Sequence, residues 1–313
     1  MRRNRAVFFL LSILMVLMVT APGAMASGQT VRLAQQYGMQ YAPVYVAQAL
    51  NLIEKRLPGV TLEWTKLGGG SAINEALIAG KLDAAFMGIP PALIAIDKGV
   101  DYRIASGICV PPAELMVRQD AAGSLSEMGP EDRIAVPGVG SIQHIMLSIA
   151  AERELGDAGA FDNAIVAMAN PDAYTALISG TDIVGHFASM PYIDLETGEG
   201  MKSILSAPVK ASIVCVTTKP LHENAEVEAA ITSALAEAIE LINAGDPEAL
   251  KIIAATEQIT PEQAKAYAVW PGTLYTADVY GVGTLSEFMA RNGYTKKQIA
   301  ASDACWSGVN TID

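Results

Sequence analysis

Short apolar runs alternate with amphipathic helical stretches along residues 30–97, a pattern typical of β-α-β units around a parallel sheet. Strands are predicted at 30–34, 60–64 and 82–87. Apolar residues at helical spacing predict helices at 41–52, 71–78 and 91–97, the second of them capped by Ser71. This stretch therefore predicts one α/β unit.

The same order of elements recurs in the middle of the chain. Further strands are predicted at 134–136, 165–168, 182–187 and 211–218, with helices at 141–155, capped by Ser141, and at 171–178. The remaining helices are predicted at 226–243, 247–255, 261–267 and 277–291. The order predicts two similar α/β lobes with a helical C-terminal tail. We expect the chain to pass between the lobes in the β-rich stretches 101–118 and 209–218.

The N-terminus has the pattern of a secretory leader. Three arginines lie within the first five residues, an apolar run covers 6–19, and Ala24-Met25-Ala26 offers a small-x-small cleavage site. The run is shorter than the roughly 18 to 20 residues that span a bilayer. We therefore expect residues 1–26 to be a cleaved signal peptide and the mature protein to be periplasmic. An uncleaved anchor is the alternative.

The composition narrows the choice of partners. The chain has 313 residues, 51% hydrophobic and 17% charged, with a formal net charge of −12. This excludes a disordered chain and supplies enough apolar residues for two domains. Because an acidic protein repels phosphate backbones and anionic lipid surfaces, we expect no nucleic-acid partner. No second long apolar run follows the leader, so we expect the mature form not to be membrane-embedded.

Signatures of catalysis are missing from the sequence. It contains no nucleophile elbow, H-E-x-x-H, C-x-x-C or phosphate-loop motif, and its three histidines are not at metal-site spacing. We therefore expect no catalytic residues, no metal and no cofactor. Three cysteines lie far apart, and the sequence leaves open whether a pair of them forms a disulfide. They are Cys109, Cys215 and Cys305.

Five turns follow predicted strands and precede helices. At such positions a doubly wound sheet binds its ligands, and helix N-termini offer unpaired N–H groups and partial positive charge. The alternative is that the glycines serve only tight turns and the serines only helix caps. The turns are 35–40, 68–71, 87–90, 137–141 and 185–189.

Several motifs in and after these turns resemble one family. They are QQYGMQYAPVYVAQALNLIEK at 35–55, Gly69-Gly70-Ser71, ALIAGKLDAAFMGIPPAL at 76–93, PGVGSIQHIMLSIAAERELG at 137–156, and PDAYTALISGTDIVGHFASMPYI at 171–193. Together they resemble the periplasmic solute-binding proteins of nitrate/sulfonate/taurine-type ABC importers. That superfamily also includes binders of thiamine pyrimidine precursors.

The resemblance implies a type II periplasmic-binding fold, with two α/β lobes and a ligand cleft between them. Lobe 1 would comprise 27–109 and 216–313, and lobe 2 would comprise 110–215. The implied function is capture of a small organic anion or heterocycle for a permease and its ATPase subunits, by a protein that we expect to be a monomer. A ligand-sensing domain feeding a receptor and an enzyme of pyrimidine-precursor metabolism on the same fold are the alternatives.

The resemblance also implies which residues line the cleft. No arginine or lysine falls inside the five turns, Lys66 being the nearest, so no arginine clamp for a carboxylate or sulfonate is visible. A neutral ligand and an anion held by helix N-termini both stay open. The implied ligand-binding residues are Gln35, Tyr37, Gln40, Gly70, Ser71, Met87, Gly88, Gly140, Ser141, His144, His186 and Ser189.

Overall fold

The computed structural model describes residues 28–313, so the predicted signal peptide lies outside the described residues. The strands, in chain order, are β1 (Thr30–Gln35), β2 (Thr61–Lys66), β3 (Ala84–Gly88), β4 (Tyr102–Cys109), β5 (Ala113–Val117), β6 (Arg133–Val136), β7 (Ile165–Ala167), β8 (Ile183–Ser189), β9 (Lys202–Ser206), β10 (Ile213–Thr218), β11 (Val279–Tyr280) and β12 (Thr311–Ile312). The α-helices are α1 (Ala42–Ala49), α2 (Gly70–Ile78), α3 (Ile89–Asp97), α4 (Ile142–Leu155), α5 (Asn170–Ile178), α6 (Tyr192–Gly198), α7 (Lys219–Glu223), α8 (Ala225–Asn243), α9 (Pro247–Glu257), α10 (Pro261–Ala268), α11 (Val282–Arg291) and α12 (Ala301–Ala304).

Two five-stranded sheets have the same topology. The first has the order β2-β1-β3-β10-β4 and the second the order β7-β6-β8-β5-β9. In each sheet the first three strands are parallel, and the fourth runs antiparallel to both of its neighbours. The predicted α/β fold with two similar lobes is confirmed.

The chain crosses between the sheets twice. It leaves the first sheet after β4, enters the second at β5 through residues 110–112, and returns from β9 to β10 through residues 207–212. The first crossing lies inside the stretch 101–118 that was expected to connect the lobes, and the second overlaps the expected stretch 209–218. The predicted boundary after residue 215 falls inside β10, and the division into 27–109, 110–215 and 216–313 stays a prediction.

Helix starts test the capping predictions. Ser141 is the N-cap of α4, and its hydroxyl accepts a hydrogen bond from the backbone N–H of His144. The predicted cap at Ser71 is wrong, because α2 already begins at Gly70, with Gly69 as its N-cap. The predicted helix at 277–291 begins too early. Residues 279–280 pair with β12, and Gly281, with a φ of 88°, turns the chain into α11.

The C-terminal segment packs on the first sheet. The indole N–H of Trp306 donates to the hydroxyl of Thr217 in β10 at 2.7 Å, and the same indole stacks on His222 at 3.7 Å. The backbone of Cys305 also pairs with that of Ile104 in β4 as an isolated parallel β-bridge. In the described residues 28–313, no helix is long and apolar enough to cross a membrane.

All three cysteines are buried free thiols. Burial raises the pKa of Cys109 and Cys215 well above the usual range of a thiol and that of Cys305 to about 11. Because a buried thiol is rarely ionised and is out of reach of reagents, we expect none of the three to react with a thiol reagent in the native protein. Colorimetric titration should find three thiols after unfolding. Rapid reaction before unfolding would contradict this expectation.

Candidate functional site

A cavity lies between the two sheets, at the carboxyl ends of their parallel strands. Its volume is ≈ 30 Å³, which is room for about one or two water molecules. The two lobes are therefore nearly closed on each other. The lining residues are Gln36, Tyr37, Gln40, Tyr41, Gly68, Gly70, Gly88, Pro91, Pro111, Ala113, Pro137, Ser141, Ile142, Gln143, Met146, Asn170, Ser189 and Ile213.

Direct contacts join the two sides of the cleft. The backbone N–H of Met39 donates to the carbonyl of Met190 at 2.9 Å, and the hydroxyl of Ser189 donates to Oε1 of Gln40 at 3.1 Å. Gly69 lies so close to the carbonyl oxygen of Pro137 that an added Cβ would overlap it. The closed arrangement thus depends on a position without a side chain.

Half of the predicted site residues line this cavity. Each comes from a turn at the end of a strand or from the first turn of a helix, as the fold would require. Whether they contact a ligand stays a prediction. They are Tyr37, Gln40, Gly70, Gly88, Ser141 and Ser189.

Three of the other predicted residues do not line the cavity. Gln35 donates to Oε1 of Gln48 in α1, and Met87 is fully buried in the core. Ser71 faces the opposite lobe, because its hydroxyl oxygen is 3.3 Å from the place that a Cβ of Gly138 would occupy.

The other three predicted residues support the wall through hydrogen bonds. The N–H of Gly140 donates to Nδ1 of His144 at 2.9 Å, which fixes the turn before Ser141. His186 is fully buried and contacts Asn170, which lines the cavity. These three residues therefore do not line the cavity but hold in place residues that do.

The sequence analysis missed Gln36, Gln143 and Asn170, which are buried amide side chains in the lining. Gln143 is in the first turn of α4, and Asn170 is the first residue of α5. A search for polar side chains in the first turn of each helix after a parallel strand would have found both.

In the part of the chain that the structure describes, residues 28–313, no charged side chain lines the cavity. Instead, the first residues of α2, α4 and α5 line it, together with Gly88, which immediately precedes α3. Helix N-termini carry unpaired N–H donors and partial positive charge. The cavity is therefore suited to a hydrogen-bond acceptor, with its positive potential supplied by the backbone. Among residues 28–313, no group of three or more His, Cys, Asp or Glu could hold a metal ion.

Two ionisable groups of opposite charge lie near Tyr37: Lys66, which is exposed, and Glu257, which is half-buried. The ammonium of Lys66 is 4.2 Å from the centre of the Tyr37 ring, and the N–H of Gly38 donates to Oε1 of Glu257 at 3.2 Å. Burial lowers the pKa of Lys66 and raises the pKa of Glu257. Since both shifts favour the neutral forms and the charges are of opposite sign, this pair adds little net charge to the cavity.

Residues 26–257 match the model of the NMT1-like family, which is most of the chain. This protein belongs to the NMT1-like family. A comparison with curated proteins gave no match.

Solved structures share the fold of this NMT1-like protein. The alkanesulfonate-binding protein SsuA from Xanthomonas axonopodis pv. citri, bound to MOPS, is 16% identical with a TM-score of 0.74, and the match covers 90% of this chain and 99% of that one. The periplasmic aliphatic sulphonate-binding protein SsuA from Escherichia coli is 18% identical (TM-score 0.67), covering 91% and 94%. The periplasmic nitrate-binding protein NrtA from Synechocystis PCC 6803 is 12% identical (TM-score 0.69), covering 88% and 84%. The predicted superfamily and its two-lobed fold are confirmed.

His144 makes the stability of the NMT1-like protein sensitive to pH. Burial lowers its pKa, and Asp162, 3.3 Å from Nε2, only partly opposes this. Because Nδ1 accepts the N–H of Gly140, protonation at Nδ1 would set two donors against each other. The unfolded chain takes up this proton at the usual pKa of about 6.5, whereas the folded protein resists it. The contribution is therefore complete above that pH and is lost as pH falls below it.

The free energy of unfolding should thus fall between pH 7.5 and 5.5, as measured by denaturant titration. Asparagine at position 144 keeps an acceptor near Nδ1 without a titrating group. We expect His144→Asn to be less stable at pH 7.5 but to have a smaller pH slope. An unchanged slope in the variant would show that other groups cause the dependence.

Proposed function

We propose that this protein is the exported solute-binding component of an ABC importer and captures a small organic anion of the sulfonate class between its lobes. The observation that carries the proposal is the convergence of the N-termini of α2, α4 and α5 on a cavity without charged side chains. An anionic group can be held there by backbone and amide N–H donors, with no arginine. The names of the structural relatives, which bind sulfonates and nitrate, support the same class.

We also propose that the protein binds its ligand without transforming it. The two serine hydroxyls in the lining are committed to other contacts: Ser189 donates to Gln40, and Ser141 accepts the backbone N–H of His144. In the described part of the chain, neither hydroxyl is hydrogen-bonded to a histidine ring or a carboxylate that could activate it. The expected partners are a permease and its ATPase subunits. We expect this protein to bind the permease as a monomer in the periplasm.

Thermal unfolding of the refolded protein tests the ligand class, because refolding removes any ligand carried over from the host. The panel is ethanesulfonate, MOPS, taurine and nitrate, with a neutral pyrimidine as the comparison. A ligand at about 100 times its Kd stabilises by about 2.7 kcal/mol, which raises Tm by several degrees. A shift with a sulfonate and none with the pyrimidine supports the proposal. A shift with the pyrimidine alone contradicts it.

Export can be tested separately by the mass of the protein purified from the periplasm of an expression host. We expect the mature chain to begin at Ser27, directly after Ala26. A full-length mass, with the protein in the membrane fraction, would instead indicate an uncleaved anchor.

A further inference from the structure

Three buried side chains form a line that ends at the cavity. Oε1 of Glu196 is 2.6 Å from Nδ1 of His186, and Nε2 of His186 is 3.2 Å from Oδ1 of Asn170. Glu196 and His186 are both 0% exposed, and Asn170 is 4% exposed. Only Asn170 lines the cavity, where it begins helix α5.

The hydrogen bonds determine how many protons this line holds. An amide oxygen can only accept, so Nε2 of His186 must carry a proton to donate to Oδ1 of Asn170. The contact between Nδ1 and Glu196 needs a second proton, on one partner or the other. With two protons, the His186–Glu196 pair has no net charge, either as an imidazolium with a carboxylate or as two neutral groups.

With one proton fewer, the pair would carry a net negative charge. Nδ1–H would donate to Glu196, Nε2 would become an acceptor, and the amide of Asn170 would have to turn over to donate to it. The cavity would then face the amide oxygen instead of the amide nitrogen.

The surroundings of Glu196 disfavour that negative state. Oε2 of Glu196 is buried without a hydrogen-bond partner, and within residues 28–313 no lysine or arginine forms an ion pair with this carboxylate. The nearby rings of Tyr192 and Tyr174 are kept neutral, because burial raises the pKa of both phenols. A buried carboxylate without a counter-charge is strongly unfavourable, so the pair keeps its second proton.

We propose that His186, held by Glu196, is a positioning residue that fixes Asn170 with its Nδ2 amide group toward the cavity, so that this wall selects a ligand oxygen that accepts hydrogen bonds. Nδ2 makes no hydrogen bond to the described residues, which leaves both of its protons available. The selection of an anionic oxygen rests on the proposed function. The orientation of the amide does not.

The orientation is tested without any ligand, by long-range ¹H–¹⁵N correlation spectra of the histidine rings. The chain has three histidines, and the signals missing in His186→Gln identify those of His186. We expect these spectra to show Nε2 of His186 carrying a proton, as its contact with Oδ1 of Asn170 requires. A bare Nε2 with a protonated Nδ1 would overturn the proposal. A change in packing alone would not mimic either ring-nitrogen signature.

The selection is tested by Asn170→Asp, which keeps the shape but replaces the donor by a carboxylate oxygen. With ethanesulfonate as the probe, we expect titration calorimetry to give a Kd at least about 100-fold weaker. Loss of one hydrogen bond worth about 1.4 kcal/mol would by itself weaken Kd only roughly tenfold. Binding within threefold of the unmodified protein would overturn the selection. If the unmodified protein bound no sulfonate, the proposed function would fail, and the histidine spectra alone would decide the orientation of Asn170.

Discussion

Alanine at position 69 is expected to weaken ligand binding by about 5- to 150-fold, because the added Cβ would overlap the carbonyl oxygen of Pro137 on the other lobe. Overpacking of this kind costs about 1–3 kcal/mol, and tenfold in Kd corresponds to about 1.4 kcal/mol. The backbone of Gly69 is extended, with a φ of −170°, so alanine causes no strain in its own lobe. Calorimetric titration with the ligand selected from the sulfonate panel measures the loss.

Gly198→Ala is the matched control for this variant. Gly198 is the last residue of α6, has no positive φ, and would place a Cβ with no heavy atom within 4 Å. Both variants should keep the Tm of the ligand-free protein to within a few degrees. Small-angle X-ray scattering should show that only Gly69→Ala stays open at saturating ligand. Equal affinities for the two variants would mean that contact between residues 69 and 137 is not part of closure.

Truncation of either of two buried phenylalanines should cost about 3–5 kcal/mol of unfolding free energy. Phe86 lies in β3 of the first sheet and Phe187 in β8 of the second, and both are 0% exposed. Alanine at either site leaves a cavity that the surrounding strands cannot fill. Denaturant unfolding, followed by circular dichroism, measures the loss. The control is Val269→Ala, whose side chain is 76% exposed, with an expected effect within about 0.5 kcal/mol.

This pair of variants also tests the proposed lobe boundaries. If 110–215 unfolds as a unit of its own, calorimetry should show two transitions. Phe187→Ala should then lower the Tm of one transition, and Phe86→Ala should lower the Tm of the other. A single transition lowered equally by both variants would show that the two sheets unfold together.

The sequence predicted the parallel strands and most helices because their signals are local. β3 is a continuous apolar run, β8 is apolar apart from His186 and Ser189, and the helices after them carry apolar residues at helical spacing. β9 was not predicted, and β4 and β5 were predicted only as part of the β-rich stretch 101–118, not as separate strands. β5 is a short run directly after two prolines, and β9 is a short run without a fully buried position, so neither has the length or periodicity that marks a strand in the sequence.

The sequence predicted which turns form the candidate site, but it did not predict the contacts that hold the side chains of those turns in place. The expectation that ligands bind at turns between a strand and the following helix identified Ser141 and Ser189, which line the cavity. It also placed His186 in the wall, whereas the ring is held away from the cavity by Glu196. That carboxylate reaches His186 only because α6 folds back against β8, a contact that no sequence periodicity reports. Asn170 was missed because Pro171, next to it, dominated the prediction of the helix start.

The strand order has a consequence for the time at which the protein can fold. β10 lies between β3 and β4, yet it begins at Ile213, after the whole second sheet has been traversed. While the chain is being synthesised, β3 and β4 therefore keep unpaired edges until residues 213–218 have emerged. Pairing across such a long sequence separation is slow, and open edges invite association with other chains. The first sheet, although most of it is made first, is thus completed only after the strands of the second sheet have been made.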